Sequence, residues 1–532
     1  MTNTQELLAV YQQALACWKQ GGFGQAEKIL QDFWQKTGNR SLRGMLLMAY
    51  ILRDKKEYVS EIKILEELLQ QFPETPERDL LADAWSVLGA ALRMLGESEL
   101  SVAAFRKSIE LEPNPVQKVI EGSNAIFSAN AIADVSPAYM QELYALYRNL
   151  LADLDIEPYS RCSWKHSRIR VGYMSADFRN HAVGQFIRSL FCHYDRTRFA
   201  IYAYSLHDLE DNVTQVLKSG GTNWRTMADA SWSEIAAQVR QDEIDILVDL
   251  AGHTAMNALP VFAFRAAPVQ LSGIGYFNST GIYDTTGFLS DVYCAPETYS
   301  PYYTEPLLRL PHSHFCYQPF TEFPEVRTPA FVRNGYITFG CFNNFAKVTD
   351  AMLLTWKQIL EAVPTAKLLL KHTLLGEPEG REYTLNRLRA LGMPLSRIEL
   401  RGFSKDYLEQ YLDMDIALDT SPYPGGLTTC EALYMGVPVV SLVGNRHGAR
   451  FGYSFLANVG LAELAAETEC AYRDIAVQLA TDTELLGLLH RNLRDMMKKS
   501  PLMDVGLYMK ELEDLYEKTV DFGGSFHPCE GR

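Results

Sequence analysis

Leu418-Asp419-Thr420-Ser421-Pro422-Tyr423-Pro424-Gly425-Gly426-Leu427-Thr428-Thr429-Cys430-Glu431-Ala432-Leu433-Tyr434-Met435-Gly436-Val437-Pro438-Val439-Val440 is the stretch on which the fold of this chain turns. The apolar run Ile416 to Leu418 reads as a strand that ends at an acid. Two prolines and two glycines make a loop, Thr428 opens a helix, Gly436 ends it, and a second apolar strand follows at once. In such a strand–Gly-rich loop–helix–strand unit the loop amides and the helix start converge on one point, which suits an anion such as a diphosphate. Thr428 and Glu431 also stand at capping-box spacing, so the same residues serve equally for a well-capped helix and nothing more. The rest of the chain decides between the two.

Around this unit, apolar strands alternate with helical spacing from Arg168 onward, the pattern of parallel α/β domains. Tyr336 to Phe342, Lys367 to Lys371, Ile398 to Arg401 and Val437 to Leu442 join Ile416 to Leu418 as strands of one half, residues 333–520. Arg168 to Met174, Phe199 to Ser205, Ile244 to Leu250 and Val269 to Ile274 are the strands expected in the other half, residues 166–332. Helical spacing falls between them at Trp232 to Gln241 and Asn257 to Arg265. A proline- and aromatic-rich crossover runs from about 295 to 332, and the Gly-rich tail, 521–532, reads as flexible. Doubly wound sheets bind ligands at the C-terminal ends of their strands, so candidate site residues are those just after strands.

In the first half these are His181, in Ser175-Ala176-Asp177-Phe178-Arg179-Asn180-His181, where an imidazole can act as a base or orient a substrate. His253, after Asp249-Leu250-Ala251-Gly252, is a weaker candidate of the same type. Asn278 and Thr280, in Gly275-Tyr276-Phe277-Asn278-Ser279-Thr280-Gly281, mark either a donor or acceptor loop or a plain turn. In the second half, Lys347 leaves the strand at Cys341-Phe342-Asn343-Asn344-Phe345-Ala346-Lys347, placed to meet a phosphate as a point charge with Asn344 as a neutral donor beside it. Gly402-Phe403-Ser404-Lys405 follows a further strand as a base-binding edge. No metal site is expected: Asp413-Met414-Asp415 falls where a helix runs into an interior strand, and His312-Ser313-His314 has no third ligand signalled nearby.

Residues 1–117 are helical in pattern. Trp85, Leu88, Gly89, Phe105 and Pro113 fall at the spacing of a tetratricopeptide repeat, with Gly96 in its turn. Ala49, Leu65 and Pro73 mark a weaker copy, and Ala14, Gly21, Ala26 and Leu30 another, giving about three repeats. A helical connector, 118–165, follows, its second helix started by Ser136-Pro137. The fold class is thus α + α/β: an α-solenoid, then two Rossmann-like domains. The repeats read either as a surface for a protein partner or as a spacer.

Bulk properties narrow the function. A net charge of −15 argues against a nucleic-acid partner. No run reaches the roughly 20 apolar residues of a membrane span, the N-terminus has no signal-peptide pattern, and the nine cysteines form no Cys-x-x-Cys pair. A cytoplasmic protein is expected.

Taken in order, the repeats, "RIRVGYMSADFRNHAVGQF", "ILVDLAGHT", "APVQLSGIGYFNSTG", "FGCFNNFAKV" and "DTSPYPGGLTTCEALYMGVPVVSL" resemble the O-linked N-acetylglucosamine transferase/Spindly family in its short bacterial form, from about residue 80 to 500. The resemblance implies an inverting glycosyltransferase of GT-B architecture that transfers a sugar, GlcNAc from UDP-GlcNAc, to Ser or Thr of a protein acceptor. It implies a nucleotide-sugar co-substrate and neither cofactor nor metal. It also implies that His181 is the active-site histidine and that Lys347 binds the donor diphosphate. Gly425, Gly426, Leu427, Thr428 and Thr429, with Lys405 and Asn344, would line the donor, and Glu431 would meet the ribose. Two positions depart from the animal enzymes' pattern. Leu427 replaces a histidine before the paired threonines, and Tyr407 or Leu408 stands where a base-stacking histidine is expected. Three further readings stay open: another donor (GDP-fucose or UDP-glucose), a non-protein acceptor, and a non-catalytic repeat scaffold.

Overall fold

Helix starts and stops follow local rules in the N-terminal part of the computed structural model, which describes residues 2–160 and 163–521. Six helices form three antiparallel pairs: α1 (Thr2–Lys19) with α2 (Phe23–Thr37), α3 (Leu42–Asp54) with α4 (Tyr58–Gln71), and α5 (Arg78–Leu95) with α6 (Ser98–Leu111). Ser41 caps α3 by accepting from the Gly44 amide, and the left-handed residues Gly38 and Gly96 end α2 and α5. The Phe105 ring fills the crossing of α5 and α6, 3.0 Å from where a Gly89 side chain would begin. A fourth pair, α7 (Pro115–Ala129) and α8 (Pro137–Ala152), starts at Asn114-Pro115 and Ser136-Pro137, each cap side chain accepting an amide of the first turn.

The first half holds β1 (Ile169–Ser175), α9 (Gly184–Cys192), β2 (Phe199–Ser205), α10 (Asn212–Ser219), β3 (Asn223–Thr226), α11 (Trp232–Gln241), β4 (Ile246–Asp249), β5 (Val269–Gly273), β6 (Gly287–Asp291) and β7 (Leu307–Leu310). Its seven strands are all parallel, in the order β3-β2-β1-β4-β5-β6-β7. The second half holds α12 (Ala330–Asn334), β8 (Thr338–Cys341), α13 (Asp350–Ala362), β9 (Lys367–Lys371), α14 (Pro378–Ala390), β10 (Ile398–Arg401), α15 (Tyr407–Gln410), β11 (Ile416–Leu418), α16 (Leu427–Tyr434), β12 (Val439–Leu442), α17 (Phe451–Val459) and β13 (Ala465–Ala466). Its six strands, again parallel, run β10-β9-β8-β11-β12-β13. In both sheets the strand order reverses beside the first strand, at β1/β4 and β8/β11, and these switch points place the ligand crevices.

Three helices close the chain: α18 (Glu469–Thr481), α19 (Thr483–Lys498) and α20 (Val505–Asp521). The last of these returns to the first half. Tyr516 Oη lies 3.3 Å from Tyr173 Oη on β1, Tyr508 donates to the His314 carbonyl, and Glu513 accepts from the Asp195 amide. The end of the 333–520 segment thus packs against the first half. One apolar core runs through both sheets and is continuous across their junction. Among the described residues no helix is long and apolar enough to cross a membrane. The tail expected to be flexible lies, beyond Asp521, outside the described residues.

Several local expectations are corrected. Asn257 to Arg265 is not an α-helix: Leu259–Phe264 form a 3-10 turn with Pro260 at its start and Arg265 left-handed at its end. The crossover contains strand β7, and β3, β6 and β13 were not expected. β3 is half-exposed and polar, so it carries no apolar run.

Candidate active site

The quoted stretch folds back on its own acid. Asp419, fully buried just after β11, accepts from the amides of Thr420 (2.9 Å) and Gly425 (2.7 Å), from Ser441 Oγ (2.9 Å) and from Asn343 Nδ2 (3.0 Å). Burial pushes its carboxyl up, against these hydrogen bonds. Asp249 does the same at the end of β4, accepting from the amides of Ala251 and Gly252 and from Ser272 Oγ. In each sheet, then, the strand across the switch point ends in a buried carboxylate that organises the following loop.

The capping box expected at Thr428 and Glu431 is not formed. Helix α16 begins one residue earlier, at Leu427, with Gly426 as a cap that offers no side chain. Thr428 Oγ1 donates instead to Asn343 Oδ1, and Glu431 turns into the protein to accept from Tyr407 Oη (2.6 Å) and Tyr411 Oη (3.0 Å). Burial lifts the Glu431 carboxyl to about 7, with the two tyrosine hydroxyls opposing that rise. Gly425 is required by close approach: a Cβ there would lie 2.5 Å from both the Thr428 and Thr429 hydroxyls. Thus the α16 N-terminus carries its partial positive charge with no side chain of its own to cap it.

Lys347 points at this helix start. A 3-10 turn, Phe345–Lys347, capped by Asn344 Oδ1 on the Ala346 amide, carries it out of β8. Its ammonium donates to the Pro424 carbonyl at 3.2 Å, two residues before the cap, and lies 3.6 Å from the centroid of the Tyr423 ring. Burial lowers its pKa to about 8, partly countered by the charge of Asp419. Asn344 itself is exposed, Leu427 is half-buried against the core, and Lys405 is exposed beside Phe403 after β10.

On the other side of the junction, the Phe277 ring packs on Tyr423 with centroids 4.5 Å apart. Val183, beside the His181 loop, stands 3.2 Å from where a Gly275 side chain would begin, and this places the His181 loop beside the Phe277 and Lys347 loops. His181 Nδ1 has two neighbours, the Val183 amide at 3.3 Å and Asp177 Oδ2 at 3.4 Å. The ring keeps 41% of its side-chain surface, yet the protein around it lowers its pKa by desolvation, with Asp177 opposing, which favours the neutral imidazole.

The remaining sequence candidates sit elsewhere. His253 is buried, with Nδ1 2.8 Å from Ser123 Oγ on α7 and Nε2 2.8 Å from the Thr280 carbonyl, and burial lowers its pKa to about 4. Asn278 donates to Asn130 Oδ1, and the Thr280 amide donates to Glu305 Oε1. His253 and Asn278 bind the helical connector to the first half, where α7 and α8 cover that face, and Thr280 bonds within that half. Asp415 takes the amides of Thr338 and Phe331, while Asp413 pairs with Arg401, so this pair of acids does not converge. Sequence reading missed Asn343, Asp419 and Tyr423. Asp419 had a signal, an acid closing a buried strand, but its partners are distant in sequence.

A family model for glycosyl transferase family 41 matches residues 149–335 and 325–512. The protein from Solanum lycopersicum named "Probable UDP-N-acetylglucosamine--peptide N-acetylglucosaminyltransferase SPINDLY" is 38% identical over 367 residues, 66% of this chain and 39% of that protein. Its namesake from Oryza sativa subsp. japonica is 36% identical over 430 residues, 78% of this chain and 45% of that one. This chain therefore spans less than half the length of these relatives. A solved point mutant of the Thermobaculum terrenum O-GlcNAc transferase superposes over 99% of both chains with a TM-score of 0.86 at 29% identity. Two doubly wound halves, a helix crossing back between them, and the extent of the family match lead to one statement: the chain belongs to glycosyl transferase family 41.

Proposed function

We propose that this protein transfers a sugar from a nucleoside diphosphate donor, UDP-GlcNAc, to serine or threonine hydroxyls of a protein acceptor, with inversion at the anomeric carbon. The observation that carries the reading is the Lys347 ammonium aimed, through the Pro424 carbonyl, at the start of α16, which has no side-chain cap. The names of the relatives support the donor and the peptide acceptor.

Chemically, the acceptor oxygen attacks the anomeric carbon as the bond to the diphosphate breaks, and negative charge grows on the leaving phosphate. An ammonium and first-turn amides fixed in advance stabilise that charge without reorganising. The acceptor proton has to leave as the new bond forms. With Nδ1 accepting from the Val183 amide, a neutral His181 carries its proton on Nε2 and orients the acceptor hydroxyl, while a donor phosphate oxygen receives the hydroxyl proton. Asn343 and Asp419 position the loop. The repeats are proposed to hold the acceptor protein. A cytoplasmic setting is proposed as well, supported by the described cysteines, all of them unpaired.

Calorimetric titration with UDP and with GDP tests the donor assignment. UDP should bind more tightly and lose affinity in Lys347→Ala. Tighter binding of GDP would replace the donor, and equal binding by the variant would remove Lys347 from the site.

A further inference from the structure

A second cluster of chemical groups lies at the junction of the halves, away from Lys347. Cys294 follows β6, His314 follows β7, and His447 follows β12. All three are buried, with exposures of 0%, 1% and 0%, and one ligand atom from each lies within 4.8 Å of the others. Cys294 is an unpaired thiol.

The hydrogen bonds fix which histidine nitrogens are free. His447 Nδ1 lies 3.2 Å from the Phe277 carbonyl, an acceptor only, so Nδ1 carries the proton. His314 Nδ1 lies 2.5 Å from Asp291 Oδ2 and donates to that carboxylate. In both rings Nε2 is left buried with no hydrogen-bond partner. A buried polar atom left unpaired is costly, and here two occur side by side next to a thiol. A histidine that gives Nδ1–H to a carboxylate or carbonyl and keeps Nε2 bare has the outer-shell arrangement of metal-binding histidines.

We propose that Cys294 Sγ, His314 Nε2 and His447 Nε2 form a buried site for a single zinc-class ion that ties the two halves together. One sulfur and two imidazole nitrogens select a borderline-soft ion over magnesium or calcium. Binding breaks the Cys294 S–H bond, forms a sulfur–metal bond and releases the proton to solvent. Phe288, Phe315 and Phe451 pack around the rings and keep the site apolar.

Two of the ligands belong to the first half and one to the second, so the ion acts as a cross-link. Its reach extends to the cleft, because Phe277, whose carbonyl orients His447, carries the ring that packs on Tyr423 beside Lys347. The assignment is independent of the transfer chemistry.

The test uses the full chain, stripped with chelator under mild denaturation, refolded with zinc chloride, desalted and assayed by mass spectrometry for metal. Parallel samples receive cobalt(II). About one zinc per chain is expected, with a near-ultraviolet thiolate-to-cobalt absorption band. Cys294→Ser and His447→Gln, checked for folding by circular dichroism and elution volume, should lose the metal, and the first should lose the band. Substoichiometric zinc in the wild type, a cobalt spectrum without thiolate character, or a folded variant that keeps its metal would overturn the proposal. If either variant fails to fold, the wild-type cobalt spectrum and stoichiometry decide alone.

Discussion

Gly96, in the turn between the two helices of the last repeat, lies against Ala346: a Cβ at Gly96 would stand 3.1 Å from the Ala346 carbonyl oxygen. Ala346 precedes Lys347 in the turn that aims it. The repeat stack therefore touches the Lys347 turn through backbone as well as being joined to the α/β halves through the connector. Tyr383, donating to Glu97 at 3.0 Å, and Ser60, donating to Glu379, extend the same contact onto α14.

A single methyl group tests that contact. Gly96 has φ +87°, and Gly38, the control, has φ +67° with open space around its position. Each change to Ala should cost about 1–2 kcal/mol of stability from the left-handed backbone. Only Gly96→Ala should also lower kcat, several-fold, by shifting Ala346 and Lys347. Equal kcat in the two variants would uncouple the repeats from the site.

Removing the ammonium is the direct test of charge stabilisation. Lys347→Ala should lower kcat by about 10²–10³-fold, some 3–4 kcal/mol, with the melting temperature nearly unchanged. Turnover close to wild type in a folded variant would contradict the assignment.

The lowered pKa of Lys347, about 8, gives a pH signature. The charged form is the one that meets phosphate, so kcat/KM, which reports the free enzyme, should fall as pH rises through about 8. Bound diphosphate favours the ammonium, so the same limb in kcat should move to higher pH. The limb should be absent from Lys347→Ala; its persistence there would assign it to another group.

How far the sequence foretold this arrangement depends on the range of the interactions involved. Strands β1, β2, β4, β5, β8, β9, β11 and β12 are largely apolar runs, β10 alternates apolar and charged residues, and the helices with Ser, Asn or Pro at their starts carry local signals. β3 lacked such a run, and β7 hid in proline- and aromatic-rich sequence. At the site, Thr428 and Glu431 have the right spacing to cap a helix, but Asn343, Tyr407 and Tyr411 compete for them from other segments. No spacing rule reveals such partners. For the same reason His314 gave no metal signal: Cys294 is 20 residues away in sequence and His447 more than 100.

Truncation separates a recognition role of the repeats from a supporting one. Tyr58, Val59 and Ile62 on α4 pack on the catalytic core, so deleting residues 1–75 should lower the melting temperature. Deleting residues 1–38 spares that contact. In the shorter deletion, donor hydrolysis should persist while transfer to protein falls mainly through KM. Unchanged protein transfer would make the first repeat dispensable for acceptor binding.

Sugar transfer to protein is read directly by intact-mass analysis. Purified enzyme is incubated with cell proteins and, separately, with UDP-GlcNAc, UDP-glucose and GDP-fucose, alongside Lys347→Ala. The expected result is a mass increment of one N-acetylhexosamine on protein with UDP-GlcNAc, removed by alkaline β-elimination and missing with the variant. An increment from GDP-fucose alone would keep the transferase and replace its donor; no increment from any of the three would contradict the account.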